Sequence, residues 1–198
     1  ELGFDIKIAY PNSKNYPQEA LEKISSFGAE LVPVKPNLLD IVTTYTKRVA
    51  EENDYQMMPY AFNHPIYVDY FSDRMKQLIS ENDFDNLVIN AGSGVTGAGL
   101  LKGFMDYDNF IPQKNSYLIT TAGQKSITQM LKKWDVYHHS NVHIHEAEHD
   151  FFDNMEWLDT PFPCNGNWDK KAWYWLEKNK LKGKTLFYNL GGKALDFC

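Results

Sequence analysis

One glycine-rich junction constrains the fold of this chain more than any other stretch. Residues 87–89 are an apolar run that predicts a buried strand, and residues 98–105 return to helix formers. Between these two segments lie Gly92, Gly94 and Gly97, which interrupt any regular pattern. The junction therefore predicts a strand, a tight turn and a helix, in that order, which is the repeating unit of an α/β fold.

The same junction predicts an anion site. Glycines let successive backbone N–H groups converge, and the first turn of a helix adds unpaired donors and the positive end of its dipole. Ser93 and Thr96 would add hydroxyl donors. The spacing matches neither G-x-x-x-x-G-K-[ST] nor G-x-G-x-x-G, which disfavours a nucleoside triphosphate or a dinucleotide. The alternative is that the glycines only allow the strand to turn tightly into the helix.

Composition excludes several classes of protein. The 198 residues are 43% hydrophobic and 15% aromatic, which is typical of a globular protein of one large or two small domains. A net charge of −6 without a clustered basic face argues against direct nucleic-acid binding. Cys164 and Cys198 make no disulfide framework. Because no apolar run reaches the roughly 20 residues that span a bilayer, we expect a soluble, cytoplasmic protein without a membrane partner.

Apolar periodicity along the chain predicts alternating strands and helices, and short connections favour parallel sheets covered by helices. The first part is predicted to hold strands over 6–10, 29–34 and 57–62, with helices from Pro17 to about Gly28 and over 38–53. The second part is predicted to hold helices over 67–82, 98–105, 126–134 and 168–179 and strands over 87–89, 116–121, 142–145 and 185–189. Residues 147–167 form a long loop, and loops of this length are often functional.

Three stretches occur in the order in which one enzyme family has them: FGAELVPV at 27–34, AGSGVTGAG at 91–99 and FYNLGGKAL at 187–195. Together they resemble the fold-type II pyridoxal-phosphate (PLP) enzymes, the tryptophan synthase β superfamily. The first is similar to a strand of the family's small domain, and the second to its cofactor phosphate loop. The third resembles the carboxyl-terminal motif of one branch of the family, which contains 1-aminocyclopropane-1-carboxylate deaminase and D-cysteine desulfhydrase.

The resemblance implies two layered α/β units with mostly parallel sheets, a smaller domain over 1–64 and a larger one over 65–198. It implies PLP as cofactor and a small amino acid as substrate of a deamination, β-elimination or related lyase step. PCNGNWDKKA at 163–172 is similar to a helix start of the family, which would put Asp169 against the pyridine nitrogen. The implied phosphate loop consists of Gly92, Ser93, Gly94, Val95, Thr96 and Gly97.

The family's Schiff-base lysine and its Ser-Gly-Asn loop lie upstream of the strand that residues 6–10 resemble. We therefore expect that this sequence begins inside the small domain, and that another polypeptide, its own amino-terminal part or a second copy, covers the exposed strand edge. Lys125 and Lys171 are the lysines nearest the motifs, and neither sequence context indicates a desolvated or charge-tuned amine. The rival hypothesis is a non-catalytic protein that binds PLP or another phosphate ligand on the same scaffold.

Two clusters have a structural interpretation beside a functional one. His138, His139, His143, His145 and His149 lie close together, and a strand over 142–145 would put His143 and His145 on one face as candidate metal ligands. Because no third ligand has a fixed spacing, we interpret the cluster as a solvated sheet edge and predict no metal site. The tryptophans at 157, 168, 173 and 175 could stack a planar ring, but Trp168 and Trp175 have the helical spacing of core residues.

Overall fold

The structure is a computed structural model that describes residues 5–12, 18–35, 38–107, 114–138, 141–150 and 152–190. The chain divides into two compact units, Glu1–Tyr60 and Ala61–Cys198. Pro17, His139, Cys198 and the end of the third family-like stretch lie outside the described residues. Across the described ranges, no helix is long and apolar enough to cross a membrane.

The first unit is a parallel pair of strands with two helices. Strand β1 (Lys7–Pro11) pairs with β2 (Glu30–Val34), so that Ala9 lies beside Val32. Helix α1 (Gln18–Ser26) connects the two strands, and α2 (Leu39–Asn53) follows β2. The unit buries the apolar side chains of Leu21, Val34, Val42 and Ala50.

The third strand predicted over residues 57–62 is wrong. Tyr60–Phe62 form a short 3-10 turn instead, and residues 55–59 have no regular structure. Ala61 and Phe62 have φ angles of 54° and 57°. Because this left-handed backbone is incompatible with an extended strand, the apolar run cannot join the sheet. Its aromatic side chains stay largely in solvent, with Tyr60 58% exposed.

The second unit is an all-parallel sheet of four strands with helices on both faces. The strands are β3 (Asn86–Asn90), β4 (Asn115–Thr120), β5 (Val142–Glu146) and β6 (Thr185–Tyr188), in the order β5-β4-β3-β6. The helices are α3 (Pro65–Glu81), α4 (Val95–Asp106), α5 (Gln124–Lys133) and α6 (Asp169–Asn179). Because all four strands are parallel, their carboxyl ends meet at one edge of the sheet. The predicted class, two α/β units with parallel sheets, is confirmed.

Alternate residues of β3 and β4 enter two separate cores. Leu87, Ile89 and Leu118 pack among residues of α3, α4 and α5. Val88 and Ile119 point to the opposite face, where they pack with Ala172 and Trp175 of α6 and neighbouring aromatic side chains. The central strand β3 is therefore buried on both faces, as parallel strands covered by helices are.

Helices α3 and α4 approach each other closely because α4 carries glycines on the contact face. A Cβ at Gly99 would lie 2.6 Å from Cβ of Phe71. A Cβ at Gly103 would collide with the carbonyl oxygen of Ser72 and lie 2.6 Å from Cβ of Met75. These two glycines thus set the distance between the helices and, through it, the position of α4 on the sheet.

Candidate functional site

The turn after β3 presents the amino terminus of a 12-residue helix. The N–H of Ala91 still donates to the carbonyl of Ile119 at 2.8 Å, which fixes the end of the strand. Gly94 then caps α4 with a φ of 84°, a conformation that favours glycine. The N–H of Ala98 donates to the carbonyl of Gly94 at 2.8 Å and closes the first helical turn. The amides between Ala91 and Ala98 therefore lie at the open end of the helix. Among them, the N–H of Val95 donates to Oγ of Ser93 at 3.4 Å.

The glycines of this turn also have packing roles. A Cβ at Gly97 would lie 2.9 Å from Cδ2 of Leu118, so Gly97 lets α4 lie close on β4. A Cβ at Gly94 would lie 3.2 Å from Cβ of Met130 on α5. Part of the glycine pattern thus reflects how α4 packs, and phosphate binding by residues 92–97 stays a prediction.

The start of α6 lies against the same turn. Trp168 immediately precedes α6, and its ring atoms Cζ3 and Cε3 would lie 3.6 and 4.0 Å from a Cβ at Gly92. Asp169 is only 1% exposed, and its Oδ1 accepts a hydrogen bond from the N–H of Leu190 at 3.4 Å. Leu190 follows β6, the strand next to β3. The structure thus brings Asp169, the glycine turn and the carboxyl end of β6 to one edge of the sheet.

Two further features characterise this edge, a buried thiol and an exposed hydrogen bond that joins the loop to the end of β6. Cys164 is 3% exposed, and burial, reinforced by the negative charge of Asp169, raises the pKa of its thiol to about 12. The side-chain amide of Asn189 donates to the carbonyl of Pro163 at 2.6 Å, which ties the loop before α6 to the end of β6. The Cys164 thiol therefore stays protonated and is a poor nucleophile.

Thr121 is a residue of this edge that sequence reasoning missed. It directly follows β4, at the carboxyl edge of the sheet. Its Oγ1 is buried and has no hydrogen-bond partner among the described residues. The adjacent Thr120 is satisfied locally, since its Oγ1 accepts from the N–H of Ala122 at 3.0 Å. A hydroxyl residue at the carboxyl end of a buried strand is the signal that could have identified Thr121.

The long loop before α6 is attached to one face of that helix. The Nζ of Lys171 donates to the carbonyl of Asp150 at 2.5 Å, and Lys178 pairs with Glu148 at 2.5 Å. Lys171 and Lys178 are separated by seven residues, and residues at this spacing lie on the same side of a helix. The loop is therefore held along α6, next to the candidate site.

Lys171 is desolvated, although its sequence context does not indicate a desolvated amine. It is 1% exposed, and burial lowers the pKa of its amine below the ordinary value of 10.5, although Asp153 and Asp150 act in the opposite direction. The amine is thus desolvated, as a Schiff-base lysine would be, but its Nζ contacts the Asp150 carbonyl. Lys125, in contrast, is exposed.

This burial predicts a pH dependence of stability. A lysine whose pKa is lower in the folded chain than in the unfolded chain lowers the unfolding free energy while it is protonated. As the pH rises from the folded pKa towards the unfolded pKa, this loss of stability disappears and the unfolding free energy rises. We expect Lys171→Met to remove this rise, so the difference in unfolding free energy between the wild type and the variant changes as the pH rises towards 10.5, the ordinary pKa of a lysine. Urea unfolding at several pH values measures the unfolding free energy of each protein. Lys125→Met, at an exposed position, is the matched control, and a difference between Lys171→Met and wild type that stays constant with pH would contradict the prediction.

Two histidines of the cluster, His143 and His145, lie on the edge strand β5. His143 and His145 share one face of β5, with ring centroids 6.5 Å apart, and both stack on Tyr117. His145 also packs on Trp175 at 4.8 Å, and burial, followed by the influence of His143, lowers the pKa of His145. In the described part of the chain no three His, Cys, Asp or Glu side chains are grouped to hold a metal ion.

The two tryptophans that helical spacing assigns to a core differ in the structure. Trp175 is 8% exposed and packs against Val88 and Ile119, so the prediction is confirmed for this residue. Trp168 is half-buried and lies at the sheet edge beside Gly92. Its environment is that of the candidate site.

Comparison with solved structures shows the class of fold. Threonine deaminase isoform 2 from Solanum lycopersicum superimposes with a TM-score of 0.70 at 14% identity, over 98% of this chain and 64% of that chain. Serine racemase from Dictyostelium discoideum superimposes with a TM-score of 0.67 at 13% identity, over 96% of this chain and 69% of that chain. Diaminopropionate ammonia lyase from Escherichia coli superimposes with a TM-score of 0.65 at 16% identity, over 96% of this chain and 61% of that chain. The chain therefore has the fold of the fold-type II PLP-dependent enzymes.

One relative in sequence has a name that states its activity. The glycyl-dTMP PLP-dependent decarboxylase of Pseudomonas phage M6 is 26% identical over 197 aligned residues, which cover 88% of this chain and 66% of that protein. No family model matches the sequence. The chain spans about two thirds of the length of the relatives that it matches. The narrower resemblance to the 1-aminocyclopropane-1-carboxylate deaminase branch stays a prediction.

Proposed function

We propose that this chain is a PLP-dependent lyase, or the cofactor-phosphate-binding part of one, that acts on the amino-acid portion of its substrate. The observation that carries the proposal is the meeting of a glycine turn at a helix amino terminus with the buried carboxylate of Asp169. Both lie at the carboxyl edge of a parallel sheet, where α/β folds bind ligands. The fold, which is that of known PLP enzymes, supports this assignment.

The residues at this edge suit the two polar ends of PLP. The amides of Gly92 to Gly97 and the hydroxyls of Ser93 and Thr96 would hold the phosphate at the end of α4. Asp169 would hold a proton at the pyridine nitrogen, because a buried carboxylate stabilises a cation beside it. Thr121, which directly follows β4, offers a further buried hydroxyl at this edge of the sheet. When bound, PLP supplies an electron sink for bond cleavage at the substrate α-carbon.

The chain's own contribution is to position these groups and to exclude water. The loop held by Lys171 and Lys178 lies along α6, whose first residue is Asp169. The bond from Leu190 N–H to Asp169 fixes the carboxylate relative to β6. Displacement of α6 would therefore move the proton-holding group and weaken the electron sink.

We further propose that the reaction is a decarboxylation of an amino acid attached to a nucleotide in such a way that its α-amine and carboxylate are both free, so that the carboxylate leaves as CO2. This is the lyase step named for the phage relative, and it is one alternative to the deamination or β-elimination that the family resemblance implies. The substrate would then be larger than a free amino acid. A small acidic protein of net charge −6 suits a mononucleotide better than a polymer.

The test supplies PLP to the protein together with any upstream segment that carries the Schiff-base lysine, and it compares glycyl-dTMP with free glycine, serine and 2,3-diaminopropionate. We expect PLP-dependent release of CO2 from glycyl-dTMP. Ammonia release from a free amino acid would overturn decarboxylation in favour of the deaminase assignment. PLP binding without turnover of any substrate would favour the rival hypothesis, a non-catalytic binding protein. Asp169→Asn is the control, and we expect it to lower turnover while PLP still binds.

A further inference from the structure

A polar pocket lies between the long loop and the start of α6. It has a volume of about 300 Å³, which is at the lower end of the range of small-molecule sites. Its lining includes charged, polar and aromatic side chains, namely those of Glu156, Asp159, Thr160, Phe162 and Lys170. Lys170 directly follows Asp169 in α6. The pocket therefore adjoins the candidate site.

An ion pair forms one wall of the pocket. Lys170 is 7% exposed, and its Nζ lies 3.5 Å from Oε2 of Glu156. A Cβ at Gly166 would lie 2.7 Å from Oε1 of Glu156, so the glycine lets the carboxylate approach the backbone. The N–H of the fully buried Met155 donates to the carbonyl of Gly166 at 3.0 Å, which fixes the loop there. The wall thus presents a hydrogen-bond donor and an acceptor side by side.

An aromatic ring forms a second wall. Phe162 is half-buried, and its ring packs edge-on against Trp173 at 5.0 Å and lies tilted against Phe187 at 5.6 Å. The hydroxyl of Thr160 donates to the carbonyl of Phe162 at 2.7 Å. Because these contacts hold the ring in place, it offers contact area to a planar ligand at low entropic cost.

We propose that this pocket binds the pyrimidine base of the nucleotide to which the substrate amino acid is attached. This inference rests on the proposed function. A thymine or uracil base has an N3–H donor between two carbonyl acceptors, so its edge can pair with the Glu156 carboxylate and the Lys170 ammonium. Proteins that hold a single base combine such edge hydrogen bonds with contacts from aromatic or apolar side chains. Phe162 supplies the aromatic contact here.

The charge of the pocket indicates which part of the nucleotide enters it. Glu156 and Asp159 outnumber Lys170 among the charged side chains of the lining, so the pocket is negative and repels a phosphate. The uncharged base lies inside, and the phosphate stays outside. A free amino acid leaves the pocket empty, and a nucleotide-linked amino acid gains binding energy from it.

The test measures the binding of thymidine, which has the base and no phosphate, by titration calorimetry on the protein without PLP. We expect thymidine to bind, and N3-methylthymidine, which lacks the N3–H donor, to bind about tenfold more weakly because a buried acceptor stays unpaired. Inorganic phosphate is expected not to displace thymidine. Equal affinities for the two nucleosides, or displacement of thymidine by phosphate, would overturn the proposal.

Two variants test the ion pair. We expect Glu156→Ala to bind thymidine and N3-methylthymidine equally, because the acceptor is gone, and Lys170→Met to bind thymidine at least about tenfold more weakly than the wild type. Lys182→Met, at an exposed position before β6, is the matched control and should keep wild-type affinity. A Glu156→Ala protein that still discriminates between the two nucleosides would contradict the assignment.

This experiment and the turnover test can fail separately. If glycyl-dTMP is decarboxylated but thymidine does not bind, the pocket assignment is wrong and the proposed function stands. If thymidine binds with the expected discrimination but no substrate releases CO2, the proposed decarboxylation is wrong and the pocket is still a nucleoside site.

Discussion

Replacing Thr96 with aspartate is expected to lower the affinity for PLP by at least about 100-fold without destabilising the protein. Thr96 is half-buried in the first turn of α4. A carboxylate about 4 Å from a phosphate costs about 4 kcal/mol at an effective dielectric constant of 20, so a loss of 100-fold is a conservative expectation. In the free protein the same carboxylate faces the positive end of the helix dipole, which is worth about 0.3–1 kcal/mol in favour of folding.

The measurement pairs equilibrium dialysis with thermal unfolding. Thr96→Asn is the matched control, because it has the size of aspartate without the charge, and we expect it to lose only a few-fold in affinity. Equal PLP affinities for the Asp and Asn variants would exclude a phosphate at this helix end. A fall in melting temperature for Thr96→Asp alone would show instead that the variant disturbs the turn.

Gly103→Val is expected to destabilise the second unit by about 3 kcal/mol or more, in the upper range for an overpacked core. The new Cβ would collide with the Ser72 carbonyl, which is backbone and cannot rotate away. Helices α3 and α4 would have to separate. Met75 on α3 and Phe104 on α4, which are both buried in the same core, would then lose packing contacts. Urea unfolding followed by circular dichroism measures the change as a lower transition midpoint.

Gly92→Ala is the stability control for this prediction. Its Cβ would meet Trp168 at 3.6 Å, which is an ordinary contact distance. We expect its transition midpoint to stay close to that of the wild type. A Gly103→Val protein that unfolds at the wild-type urea concentration would show that the two helices are not as close as the structure places them.

The sequence predicts the elements well where a long apolar pattern is bounded by clear stop signals. Strand β3 is two residues longer than predicted, because polar Asn86 and Asn90 belong to this buried strand. Helix α4 begins at Val95, three residues before its predicted start, because Gly94 caps it with a φ of 84°. Helix α3 starts at Pro65, and not at 67, because His64 caps it through Nδ1 and proline fits the first helical position. The run at 57–62 misleads because its apolar residues suggest burial, whereas two residues with positive φ end regular structure there.

The candidate site is predicted only in part, because its residues come from distant segments. The glycine turn is visible locally, and the family resemblance names Asp169. The contact between Trp168 and Gly92 joins residues far apart in sequence, so no local pattern indicates it. The burial of Lys171 depends on how the loop lies along α6, which charge and spacing do not determine.

The pairing of β6 with β3 has a consequence for the order in which the chain folds. The N–H of Lys184 donates to the Asp85 carboxylate at 2.7 Å across a sequence separation of 99 residues. At a synthesis rate of about 5–20 residues per second, β3 leaves the ribosome roughly 5–20 seconds before the strand that pairs with it. During that interval one edge of the nascent sheet is open to mispairing. Asp169 and Leu190, which lie beside the glycine turn, are synthesised after the turn itself. A ligand that contacts both the turn and these residues would therefore bind only after the later segment has folded against the sheet.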